Sequence, residues 1–117
     1  MPIEYNPYIP ATIDEILDKL DSMMLSPPRF EDTSGYFPGK NIDTEFFALS
    51  EGLRRIRKKL GEENYQTLTV MSERMRAHFE ADPEDKTDDA HSGREIILEM
   101  SELLNEIWAR ELRESSK

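Results

Sequence analysis

The stretch FFALSEGLRRIRKKLGEENYQTLTVMSERMRAHF, residues 46–79, contains two sets of apolar residues, one before and one after Gly61. Within each set the apolar residues recur every three or four positions, which is typical of one buried face of an α-helix. The two sets are Phe46, Leu49, Leu53, Ile56 and Leu60 before Gly61, and Tyr65, Leu68, Met71, Met75 and Phe79 after it. Because glycine often ends helices and no other break occurs, we predict an antiparallel hairpin of helices 43–60 and 62–82.

Two further helices are predicted, one on either side of this hairpin. Thr12 and Ser92 each precede a glutamate by three residues, Glu15 and Glu95, which is the capping-box pattern of helix N-termini. Apolar residues at amphipathic spacing follow each box. These two helices span residues 12–25 and 93–112. Since alternating runs typical of strands do not occur, the sequence predicts an all-α, single-domain bundle of about four helices.

Two segments rich in proline precede the hairpin. Residues 1–11 contain three prolines, which favour an extended segment lying along the body of the protein. Residues 26–42 form a long loop with three aromatic residues, Phe30, Tyr36 and Phe37. Loops of this length are uncommon in compact domains. The sequence leaves open whether these rings cover the core or form a partner-binding surface.

Charge is distributed unevenly along the chain, whose formal net charge is -10. Residues 1–61 hold 8 Lys and Arg against 10 Asp and Glu, whereas residues 62–117 hold 7 against 15. The one strongly basic run, residues 54–59, lies in the last turns of a predicted helix, where cations complement the helix dipole. We therefore interpret this run as cations that complement a helix end and pair within the chain. A nucleic-acid-binding patch is the less favoured alternative.

An ordered row of acids lies in the last predicted helix. Its members are Glu95, Glu99, Glu102 and Glu106. At 3.6 residues per turn they fall within about 60° of one another around the helix axis. Like charges at this spacing destabilise an isolated helix. The row is either a solvated face, or it is compensated by Arg94, Arg110, the basic run or a cationic partner.

Catalytic and metal sites are not predicted. The two histidines, His78 and His91, belong to no recognisable triad pattern. The polar segment predicted as a loop, residues 84–93, is rich in acids but lacks the residue order of an EF-hand. The chain has no cysteine, which excludes disulfides and thiolate chemistry. We expect no enzyme activity, no metal and no cofactor.

The bulk properties also narrow the class of partner. Neither a signal peptide nor a stretch of about 20 apolar residues is recognisable, so we expect a soluble cytoplasmic protein without a membrane partner. The acidic balance disfavours nucleic acid and anionic membranes, because both carry negative charge.

Residues 46–85, FFALSEGLRRIRKKLGEENYQTLTVMSERMRAHFEADPED, resemble small helical immunity proteins encoded beside bacterial polymorphic toxins, including those of contact-dependent inhibition systems. The resemblance covers about a third of the chain and consists of small size, acidity, helical pattern and absence of cysteine. It implies a cytoplasmic inhibitor that blocks the active site of a basic toxin. No family motif maps onto individual residues, so the resemblance assigns no residue a role.

The sequence thus predicts a non-enzymatic acidic binding protein whose partner, a toxin or nuclease, has a basic surface. The predicted contact residues are Glu95, Glu99, Glu102 and Glu106, together with Asp85, Asp88 and Asp89 in the preceding loop. The alternative is a homodimeric structural or regulatory protein, in which a second copy covers the 46–60 apolar seam and the aromatic loop. A small enzyme or a nucleic-acid-binding regulator is a third, less favoured hypothesis.

Overall fold

The structure, a computed structural model, describes residues 7–25, 27–31 and 39–115. These residues form five α-helices and no strand, which confirms the all-α prediction. The helices are α1 (Ile13–Met23), α2 (Ile42–Arg55), α3 (Arg57–Leu60), α4 (Glu62–Ala81) and α5 (Asp88–Ser115). Residues 7–11 contain no regular structure. The remainder of the predicted N-terminal segment, together with Tyr36 and Phe37 of the aromatic loop, lies outside the described residues.

The helices pack as a bundle in which α4 takes part in most contacts. The most extensive helix–helix contact joins α4 and α5, and α2 and α3 also pack against α4. Helix α1 completes the bundle by contacting both α5 and α2. None of the helices formed by the described residues is both long enough and apolar enough to cross a membrane.

The N-termini of α1 and α2 are capped by side chains, and the cap of α1 is the predicted Thr12. The Thr12 hydroxyl accepts a hydrogen bond from the Glu15 backbone N–H at 3.1 Å, and Glu15 in turn accepts one from the Ala11 N–H at 2.9 Å. At α2 the N-cap is Asn41, whose side chain accepts from the Thr44 backbone N–H at 3.1 Å.

The helix predicted for residues 43–60 is interrupted at Ile56, which separates α2 from the single turn α3. Ile56 has φ -103° and ψ 16°, outside helical geometry. Leu60 nevertheless continues the hydrogen-bonding pattern by donating to the Ile56 carbonyl at 3.0 Å. Gly61, with φ 84°, then ends α3 in the left-handed region, as predicted from its position.

The prediction that the last helix begins at residue 93 is wrong, because α5 begins at Asp88. Ser92 therefore lies inside the helix and does not cap it. The cap comes from earlier in the chain: the Thr87 hydroxyl accepts from the Asp89 backbone N–H at 3.2 Å. The helix also extends beyond the predicted residue 112, to Ser115.

The core is a single cluster built from all five helices, from Ile56 between α2 and α3, and from one loop residue. Phe30, from the predicted aromatic loop, is fully buried, and its ring meets Phe46 and Phe79 edge-on at centroid distances of 5.7 and 5.3 Å. For Phe30, the alternative that the loop covers the core is therefore the correct one. The close α4–α5 contact depends on Gly93, because a Cβ atom there would lie 2.5 Å from the Phe79 ring.

Candidate partner-binding surface

The four predicted glutamates lie exposed on one side of α5. They are Glu95, Glu99, Glu102 and Glu106, and we call them the α5 acidic surface. At 1.5 Å per residue the row is about 17 Å long. Because the opposite side of α5 is fixed in the core by Ile97, Met100 and Leu104, the row is held in a defined direction.

Neither Arg94 nor Arg110 compensates this row within the described residues. Arg94 forms two hydrogen bonds with Asp85, at 2.9 and 3.3 Å. Arg110 makes no ion pair with any of the described residues. The row itself has one such contact, between Glu95 and His91 at 2.9 Å. Over the described ranges, Glu99, Glu102 and Glu106 have no ion-pair partner.

Three of the five cations in the basic run form ion pairs with described residues. Arg54 forms an ion pair with Glu51 one turn earlier, and Arg57 hydrogen-bonds to Glu62 across the α3–α4 junction at 2.9 Å. Arg57 and Gln66 together lower the pKa of Glu62 to about 2. Lys59 reaches α5 only at Glu111, at 3.8 Å and beyond the end of the row. These contacts agree with the interpretation of the run as helix-end charge with intramolecular pairing.

The three predicted loop acids do not form part of the same uninterrupted row. Asp85 is paired with Arg94, and Asp89 lies 2.9 Å from Nδ1 of His78 on α4. Asp88 is exposed at the first turn of α5, where its negative charge interacts favourably with the helix dipole. Two of the three thus fasten the α4–α5 junction, while Asp88 extends the exposed negative charge toward the N-terminus of α5.

A buried carboxylate that the sequence analysis missed organises this junction. Asp82 is 3% exposed and accepts hydrogen bonds from the backbone N–H groups of Lys86, Thr87 and Ala90, at 2.7, 2.9 and 3.2 Å. Burial raises the pKa of Asp82, but the three donors outweigh it and hold the pKa below its ordinary value. The Asp-Pro pair directly after a helix was the available signal, since Asp side chains often bond to backbone N–H groups in turns.

The described residues include one histidine–carboxylate contact between helices, His78–Asp89, and no cluster of metal ligands. The His78–Asp89 contact is of the kind that orients a catalytic imidazole, but no serine or threonine hydroxyl of the described residues hydrogen-bonds to His78. No three His, Asp or Glu side chains among the same residues are placed to hold a metal ion. The His78–Asp89 pair joins α4 to α5.

The apolar seam proposed for a homodimer is used inside the chain. Its members, Phe46, Leu49, Leu53, Ile56 and Leu60, are each at most 5% exposed. A second copy could therefore not cover this seam without unfolding the bundle.

Comparison of the chain with protein-family models, with curated proteins and with solved structures found no match. The resemblance to immunity proteins therefore stays a prediction from the sequence. Since an all-α bundle supports many unrelated functions, the function must be argued from the surface itself.

Proposed function

We propose that the protein is a non-enzymatic binding protein that docks the α5 acidic surface on a basic surface of a protein partner. The observation that carries the proposal is the absence of an ion-pair partner for Glu99, Glu102 and Glu106 among the described residues. Like charges one turn apart are unfavourable in a helix. Lysine or arginine side chains of a partner would relieve this repulsion on binding, so complementary charge would favour both fast association and specificity.

An exposed apolar side chain beside the row supports the same proposal. Leu98 is 54% exposed and lies one turn from both Glu95 and Glu102. Protein interfaces commonly combine an apolar contact at the centre with charged groups around it. Leu98 supplies such an apolar contact next to the acids, and α5 presents it on a rigid helix, which limits the entropy lost on binding.

A nuclease or another toxin with a basic cleft is the partner class that this chemistry favours. An enzyme that binds nucleic acid lines its cleft with lysine and arginine, because these side chains neutralise phosphates. A helix carrying an exposed row of carboxylates about 17 Å long would compete for the same cations. The resemblance of residues 46–85 to immunity proteins agrees with this partner class.

The test begins with capture of the partner on the immobilised protein from an extract of its native host, followed by mass spectrometry. The association rate is then measured by stopped-flow fluorescence for the wild type and for the double variant E99K/E102K. We expect the variant to associate at least about tenfold more slowly at low salt, and the difference to shrink as added salt screens the charges.

The matched control is D21K/E63K, which changes the net charge equally at two exposed acids on α1 and α4 that make no ion pair with the described residues. It should associate at close to the wild-type rate. Equal slowing by both double variants would show that only the overall charge matters, and would contradict a specific α5 surface. An association rate insensitive to both reversal and salt would contradict the proposal altogether.

A further inference from the structure

A second concave surface, unrelated to α5, lies between α2 and α4. It is a groove of about 390 Å³, which is within the range of ligand-binding pockets. Phe47 stands at its edge with 55% of its surface exposed, and the half-buried ring of Tyr65 lines it from α4. The guanidinium of Arg57 lies 4.5 Å from the centre of the Tyr65 ring and helps to hold it in place. The groove is thus open and partly apolar.

The charges around the groove are not balanced. Arg76 lines it, but its guanidinium already pairs with Asp43 and Glu80, the latter at 2.6 Å. Glu73, one turn away on α4, is exposed and has no ion-pair partner in the described part of the chain. The uncompensated charge of the groove is therefore negative, and it complements a cation.

A polar group inside the groove also lacks a partner. Ser72 is 5% exposed and lines the groove, yet no hydrogen bond joins its hydroxyl to any described residue. Every fully enclosed side-chain N or O atom of the described residues has a hydrogen-bond partner. Since the Ser72 hydroxyl has none, it is not fully enclosed and remains in contact with the open space of the groove that it lines. Polar groups at such depth are normally hydrogen-bonded, so Ser72 is suited to bond with a peptide group that enters the groove.

We propose that the α2–α4 groove binds a segment of a partner protein in which a large apolar side chain lies next to a lysine or arginine. The apolar side chain contacts Phe47 and Tyr65, and the cation pairs with Glu73. The peptide backbone of the segment hydrogen-bonds to the Ser72 hydroxyl. This site lies on other helices than the α5 acidic surface and does not depend on the function proposed for that surface.

Capped dipeptides test the proposal, with amide chemical shifts of the ¹⁵N-labelled full chain as the readout. Acetyl-Phe-Arg amide should cause saturable shifts at Phe47, Tyr65 and Glu73, with millimolar affinity. Acetyl-Phe-citrulline amide, which has nearly the same shape without the charge, should bind about two- to fivefold more weakly, as expected for an exposed ion pair. Acetyl-Ala-Arg amide should cause no saturable shift, because it lacks the apolar group.

Two variants assign these differences to named residues. Glu73→Gln should remove the preference for arginine over citrulline while leaving the affinity for the citrulline peptide unchanged. Phe47→Ala should lower the affinity for both phenylalanine peptides. Val70→Ala is the matched control, since Val70 is 51% exposed on α4 but does not line the groove. It should leave both affinities unchanged.

Several results would overturn the proposal. Shifts scattered over the surface, equal affinity for the two phenylalanine peptides, or equal weakening by Phe47→Ala and Val70→Ala would each do so. The E99K/E102K variant separates this site from the α5 acidic surface, because it should bind acetyl-Phe-Arg amide as the wild type does. The two proposals can therefore fail independently.

Discussion

The α4–α5 junction and the middle of α5 are both acidic, yet their carboxylates do different things. At the junction Asp82, Asp85 and Asp89 bind backbone N–H groups, an arginine and a histidine of the same chain. In the middle of α5, Glu99, Glu102 and Glu106 have no such partner within the described residues. Carboxylates therefore stabilise the fold in one region and remain available for binding in the other. The two sets differ in whether they pair within the described part of the chain.

Removing the central acid of the junction should have the largest effect on stability. Asp82→Ala leaves the N–H groups of Lys86, Thr87 and Ala90 without their acceptor, and unpaired buried polar groups are costly. We expect a larger fall in thermal midpoint, measured by circular dichroism, than for Gly93→Ala, Thr87→Ala or E99Q/E102Q. Glu102→Ala, the matched change in the middle of α5, should alter stability by no more than about 0.5 kcal/mol.

The pH dependence checks the cause of this effect. The pKa of Asp82 is lower in the folded than in the unfolded chain. The ionised carboxylate therefore stabilises the fold fully at pH values above the ordinary aspartate pKa of about 3.9. That contribution is lost as the pH falls through the lower, folded-state pKa. The difference in free energy of unfolding between the wild type and Asp82→Ala should therefore become smaller below about pH 4. A difference that stays constant would contradict the assignment.

Crowding the junction should be the next most damaging change. Gly93→Ala places a Cβ atom 2.5 Å from the fully buried Phe79 ring, and such overpacking costs about 1–3 kcal/mol. The higher helix propensity of alanine offsets about 1 kcal/mol of this cost. Chemical denaturation should show a net loss of up to about 2 kcal/mol. A gain in stability would mean that α4 and α5 are not in such close contact at Gly93.

The position of the α5 N-cap can be tested directly, with a smaller expected effect on stability. Thr87→Ala removes the hydroxyl that accepts from the Asp89 N–H and should cost about 1 kcal/mol. Ser92→Ala should be neutral or slightly stabilising, because Ser92 lies within the helix and alanine has the higher helix propensity. Denaturation of both variants checks the pair. If Ser92→Ala were instead the more destabilising change, Ser92 would be the N-cap and residues 88–91 would belong to the loop.

Neutralising the middle of α5 should have the smallest effect, and of opposite sign. E99Q/E102Q removes repulsion between acids one turn apart, which should stabilise the free protein by a few tenths of a kcal/mol at low salt. The gain should disappear at high salt, because exposed charges are then screened. Asp85→Asn, the control at the junction, should lower stability instead, since it weakens the bond to Arg94. A loss of stability in E99Q/E102Q would mean that these acids do pair within the chain.

The sequence by itself determined the helical class, most of the helix positions and the side of each helix that faces the core. Residues such as Leu49, Leu68 and Leu104 are buried where their spacing predicts. This was predictable because the apolar face of a helix is a local pattern of three to four residues. The cap at Thr12 and the helix end at Gly61 were predictable for the same reason, since both depend on neighbouring residues only.

The tertiary structure alone decided which charges are used internally. Glu45, on the predicted second helix, is 2% exposed and pairs with Lys19 of α1 at 2.6 Å, a contact between residues 26 positions apart. The start of α5 likewise depends on Asp82, eight residues before the N–H group of Ala90 that it binds. Such pairings depend on distances between elements, which periodicity cannot supply. For that reason the sequence found the acids of α5, and only the folded chain separated the paired ones from those left unpaired among the described residues.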